Sequence, residues 1–140
     1  MADTIYNRFF ANLMNKEVDL EADTIKVALL TSSYTINKDH NTWAEVSANE
    51  VSGTGYTAGG ATLANKSVTQ DDTNDQATFD ADDVTWSSST ITARYAVLYD
   101  NTLTNDDLLA IFDFGSDQSS SNGDFTLQFS ASGILALSQS

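Results

Sequence analysis

Ile91-Thr-Ala-Arg-Tyr-Ala-Val-Leu-Tyr99 is the stretch that decides the fold. Side chains alternate sides along an extended chain, so Ile91, Ala93, Tyr95, Val97 and Tyr99 share one face. Ala96 and Leu98 make the opposite face apolar toward the C-terminal end. A strand that is apolar on both faces is covered on both, and the segment predicts a central strand. The same period recurs on either side of it. Thr24–Leu30 sets Ile25, Val27 and Leu29 against Lys26 and Ala28, and Gln76–Ala81 presents Ala77, Phe79 and Ala81. Val84 and Trp86 alternate, Leu108–Phe114 is apolar on both faces, and Phe125, Leu127 and Phe129 alternate with Thr126 and Gln128. Ile134–Leu137 follows Gly133. With a weak strand over Ala61–Thr69, this makes seven to eight short strands. It predicts an all-β fold, an antiparallel β-sandwich or small, jelly-roll-like barrel.

The connections are polar. Turns are expected at Asp71-Asp-Thr-Asn-Asp75 and Ser87-Ser-Ser89, a polar connection at Asp100–Asp107, and a flexible loop over Ser116–Gly123 that ends in Asn-Gly, a pair suited to positive φ. Tyr34–Asn41 reads as a loop, while Trp43–Val51 has no clean period and receives no assignment. Four of the seven glycines fall within Gly53–Gly60. Such a run marks backbone that needs positive φ or close approach to other backbone. No proline occurs, so sheet edges must be protected by charge, bulges, the helix or a neighbouring chain.

Thr4–Asn15 spaces Ile5, Phe9 and Leu13 four apart, beside Tyr6, Phe10 and Met14. It predicts a short amphipathic helix capped by Asp3 or Thr4. A helix of this length is marginal alone in water, so it must dock, either on its own sheet or on a neighbouring subunit. The expected organisation is a single β-rich domain over 1–140, with the N-terminal amphipathic helix in 1–16 and the sandwich in 24–138.

A chain of 140 residues buries roughly 68–70% of its extended surface, enough for one core. Twenty acidic residues against six scattered basic ones give a net charge of −14, which argues against nucleic-acid binding. Without cysteine there is neither disulfide nor thiolate chemistry. No signal peptide or membrane span is read, and synthesis in the cytoplasm is expected.

No catalytic, cofactor-binding or metal-ligating set emerges. Gly53-Thr-Gly-Tyr-Thr-Ala58 matches a relaxed G-x-G-x-x-A fingerprint, but a strand rather than a helix is expected to follow it. His40 is the sole histidine and reads as a solvated loop residue. Asp71, Asp75 and Asp82, or Asp80, Asp82 and Asp83, offer oxygens for calcium, but the first set lacks the EF-hand glycine, and solvated turn carboxylates are the expected reading. Carboxylates are too numerous for any one pair to single out glycosidase chemistry. Trp43, Tyr56 and Trp86 are either exposed platforms for a surface glycan or core and subunit-contact residues.

Five blocks carry a resemblance. They are Asp23–Leu30, Asn49–Leu63, Phe79–Trp86, Ile91–Tyr99 and Phe112–Asp117, and the glycine-rich one is the most specific. Together with the short N-terminal helix, they resemble small virion proteins of tailed bacteriophages, of the capsid decoration (cement) or head-fibre type. The resemblance implies a non-enzymatic protein bound to the major capsid protein on the outer surface of the head. It would commonly be a homotrimer and would stabilise the shell; proteins of this appearance are also assigned to tails. Under that reading Phe9, Phe10 and Leu13 of the helix, with Trp43, are the expected contacts. A carbohydrate-binding β-sandwich for host attachment, acting through Trp43, Tyr56 or Trp86, is the alternative of a different class.

Overall fold

The computed structural model describes residues 1–139 and is mostly β, with three antiparallel sheets and one α-helix. β1 (Thr4–Ile5) precedes α1 (Asn7–Met14) and β2 (Ile25–Leu30), and two 3₁₀ turns, Trp43–Glu45 and Ser47–Asn49, follow. Next come β3 (Ala61–Thr62), β4 (Ser67–Asp71), β5 (Gln76–Asp80) and β6 (Val84–Ser89). The chain ends with β7 (Thr92–Asp100), β8 (Asp107–Ser119), β9 (Gly123–Leu127) and β10 (Leu135–Ser138). The main sheet runs β1-β8-β7-β2-β3; β10-β5-β4 and β6-β9 form the smaller ones.

β7 is central, as its two apolar faces require. On one face, Val27, Leu29, Ala96, Leu98 and Phe112 pack with Phe79, Trp86, Phe125 and Leu135 from the small sheets. On the other, Ala28, Leu30, Val97, Tyr99 and Ile111 are covered by Tyr6, Tyr34 and Val46. The segment around Trp43–Val51 that lacks a sequence period is thus part of the second cover. Its order comes from a capping box, in which Thr42 and Glu45 satisfy each other's backbone amides.

The expected single face of β7 breaks at Arg94. Ile91 and Ala93 belong to the first core, but Tyr95, Val97 and Tyr99 belong to the second. The break coincides with a bulge in β8: Ala93 pairs with Gln118 while Tyr95 pairs with Asp113. Gly115 lies in the bulge at φ +82°, and the Arg94 guanidinium bridges to Asp113 there at 2.7 Å. Two expected loops are strand instead. β8 continues to Ser119, leaving Ser120–Asn122 as the turn, with Asn122 at positive φ. The Ser87–Ser89 turn is a bulged continuation of β6, where buried Ser89 bonds Ser120 at 2.7 Å. The weak strand over Ala61–Thr69 splits into β3 and β4.

The helix also starts later than its period suggests. Thr4 and Ile5 pair with Ile111 and Ala110 of β8, and Tyr6 N–H donates to the Leu109 carbonyl at 3.1 Å. Hydrogen bonding to the β8 edge claims these residues, so neither Asp3 nor Thr4 caps α1. Asp3 instead accepts from the Asp113 amide at 2.7 Å.

The glycine run wraps the outer edge of β2. Val51 N–H donates to the Leu29 carbonyl, Leu63 N–H donates to Ile25, and between them the Tyr56 hydroxyl accepts the Leu29 amide at 2.9 Å. Edge protection therefore comes from the chain's own loop rather than from proline. The close approach is tightest at Gly60, where φ is +81° and a Cβ would stand 1.9 Å from the Val27 carbonyl oxygen. Gly60→Ala is expected to destabilise the fold by at least about 3 kcal/mol, through combined backbone strain and overlap. Urea unfolding measures this, and an unchanged midpoint would show that the loop is not held against β2.

Candidate functional site

The eight-residue helix α1 has no side-chain cap and is too short to hold itself. Tertiary contacts fix it. Arg8 Nε and Asn12 Nδ2, one turn apart on the same side, both donate to Asp107 Oδ2, at 2.9 and 2.7 Å. Asp107 is buried at the head of β8, where these charge-assisted bonds are strongest. Phe9, 2% exposed, enters the first core, and Leu13 packs partly buried against it. The helix therefore docks on its own domain. The next side of the helix carries Phe10 and Met14, 43% and 87% exposed. Of the three helix residues expected as contacts, Phe10 is the one displayed, and Met14 joins it.

Beside the helix lies a groove of about 630 Å³ between α1, the segment after it and the β10-β5-β4 sheet. Register places Val68 opposite Phe79 opposite Leu135, and Ala77 opposite Leu137, all on one face of that sheet. Phe9, Leu13, Val18 and Leu20 line the groove from across. Glu17, Asp19, Glu21 and Asp23 also line it, with Lys16 as the one cation among the lining residues. Glu21 reaches over to accept the Val68 amide at 2.6 Å, which closes the β4 edge at that point.

The three aromatic candidates are held apart from this surface. Trp86, 6% exposed, packs edge-on to Phe125 and beside Tyr56. Burial pushes the Tyr56 hydroxyl pKa up, and the group donates to Glu50 at 2.8 Å, so its polar end is already engaged. Trp43, half-buried, stacks on Tyr99 at 4.9 Å. The Tyr99 hydroxyl donates to the Gly59 carbonyl at 2.6 Å, and its pKa is pushed up to about 12 by burial, with Asp106 and Glu50 adding to the effect. These rings build the two cores and fasten the glycine loop.

No family model, curated protein or solved structure matches this chain.

Other polar candidates serve the architecture. Tyr34 joins Tyr6 at 3.0 Å to His40 Nδ1 at 2.9 Å, so the histidine ends a buried chain of hydrogen bonds rather than standing free. Asp71 caps its own turn by accepting from Thr73 and Asn74, Asp82 accepts from Asn65, and Asp83 accepts from the Phe129 amide. Among the described residues no group of three or more acidic or histidine side chains is arranged to hold a metal. No helix there is long and apolar enough to cross a membrane.

Sequence reading missed Asp100. Fully buried at the end of β7, it accepts the Thr102 amide through Oδ1 at 2.9 Å, while Oδ2 has no donor. Its pKa is pushed up to about 7, by burial first and then by the neighbouring Asp23 carboxyl. Because the folded pKa lies above the unfolded one, this group's stabilising contribution is complete below about pH 4 and is lost as pH rises to about 7. Asp100→Asn keeps the shape and removes the titration. The variant is expected to flatten the pH dependence of unfolding over that window and to be more stable than the parent at about pH 8. Identical pH slopes in denaturant titrations of the two proteins would contradict the assignment.

Proposed function

We propose that this chain is a non-enzymatic virion protein of a tailed bacteriophage, a decoration protein that binds the major capsid protein on the outer surface of the head and reinforces the shell. The carrying observation is the division of α1. Its Arg8 and Asn12 side is fixed to Asp107, while Phe10 and Met14 stand outward as large apolar residues on a rigid support. Apolar side chains on an anchored helix suit a permanent contact, since little backbone freedom remains to be lost when a partner covers them. The end-to-end resemblance of the sequence blocks supplies the biological setting, and the acidic surface keeps the free protein soluble before assembly.

The expected assembly is a homotrimer seated on the capsid, with the helix at the contact. Phe9 is unsuitable for testing this, because its replacement would open the core. Phe10→Ser with Met14→Ser leaves the core intact. Mass spectrometry of purified virions is expected to detect the parent chain, and the double variant is expected to fall by at least about tenfold in occupancy, with an unchanged circular dichroism spectrum. Virions without the parent chain would overturn the reading. Equal occupancy of the variant would remove the helix from the contact.

A further inference from the structure

The groove between α1 and the β10-β5-β4 sheet differs from the outward stripe of Phe10 and Met14 in having both an apolar floor and a charged rim. Its floor is built from Phe9, Leu13, Phe79 and Leu135, and at its mouth Val68 and Leu137 are each about half exposed, at 46% and 49%. Contiguous apolar surface of this kind, rimmed by polar groups, marks a site of association. The rim is mainly acidic, with Lys16 its one cation. Glu17, Asp19, Glu21 and Asp23 lie along it, and among the described residues none of them is in an ion pair.

Several features define the occupant. The chain carries −14, so a second copy brought to this rim would set carboxylates against carboxylates, and an anionic membrane would be repelled in the same way. A segment with Lys or Arg beside apolar anchors meets both the rim and the floor. Glu21 occupies the Val68 amide, which disfavours strand addition along that edge and favours docking through side chains laid into the groove. The volume of about 630 Å³ lies within the range of roughly 300–1,000 Å³ typical of binding clefts.

We infer that this groove binds a basic amphipathic segment of another protein, with its apolar side chains between α1 and β4-β5-β10 and its cationic groups on the Glu17–Asp23 rim. The inference stands whether or not the chain is a virion protein, because it uses only the shape and charge of the groove.

The test compares two labelled synthetic peptides by fluorescence anisotropy. One is a Leu/Lys peptide of helical period; the other is a Ser/Lys peptide of the same length and charge. The full chain is expected to bind the Leu/Lys peptide at least about tenfold more tightly, with affinity falling as salt is raised. Val68→Ser with Leu137→Ser, both at exposed positions, is expected to erase that preference while circular dichroism stays unchanged. Equal affinity for the two peptides would overturn the proposal, as would a preference that survives in the double variant. Concentration-dependent dimerisation that the double variant abolishes would assign the face to a second copy and overturn it as well. Preferential binding to anionic lipid vesicles through the same residues would also overturn it.

Discussion

The main sheet is apolar on both faces, and that constraint organises the molecule. Val27 and Leu29 point one way from β2, and Ala28 and Leu30 point the other, all of them fully buried. A sheet of this kind needs two covers. The small sheets supply one, and the second comes from irregular chain, namely Tyr6, Tyr34 and the capped turns near Val46. The edge of β2 needs closing as well, and the glycine loop closes it with backbone bonds and the Tyr56 hydroxyl. Because so many segments are committed to covering and closing this sheet, α1 is left with one side bound and another side free.

What was legible in the sequence follows from period. β5 and β9 alternate because each has one inner face, β2 and β7 show themselves by apolar residues on both faces, and these patterns together yield an all-β sandwich with a short helix. Where the outcome depended on a partner distant in the chain, local pattern failed. Thr4 and Ile5 fit a helical period as well as a strand, and only the open edge of β8 decides between them. Ser87–Ser89 and Ser116–Ser119 have turn-like composition, yet bulges and cross-strand serine hydroxyls keep them extended. The glycine run announced close approach, but not that its neighbour would be β2.

The surface around the helix was partly readable. Spacing identified Phe10 and Leu13, and the same spacing grouped them with Phe9, whose fate depends on which side of the helix Asp107 holds. Nothing local marks Asp107 as an anchor except its place at the head of a run apolar on both faces. Val68 and Leu137 were invisible as a pair, because they meet only through register with β5. Trp43, Tyr56 and Trp86 drew notice as large aromatics, and packing the cores employs all of them. Residue type sets what needs burial, while topology determines what remains outside.

The doubly buried strands form the unit on which the rest depends, with the groove-forming sheet attached to it more loosely. Native-state hydrogen exchange tests this directly. Amides of β2, β7 and the Leu108–Phe112 part of β8 are expected to exchange only through global unfolding, with opening free energies equal to the total stability, while those of β4 and β10 open at lower free energy. Exchange from β7 at lower free energy than from β4, or uniform protection throughout, would contradict the account.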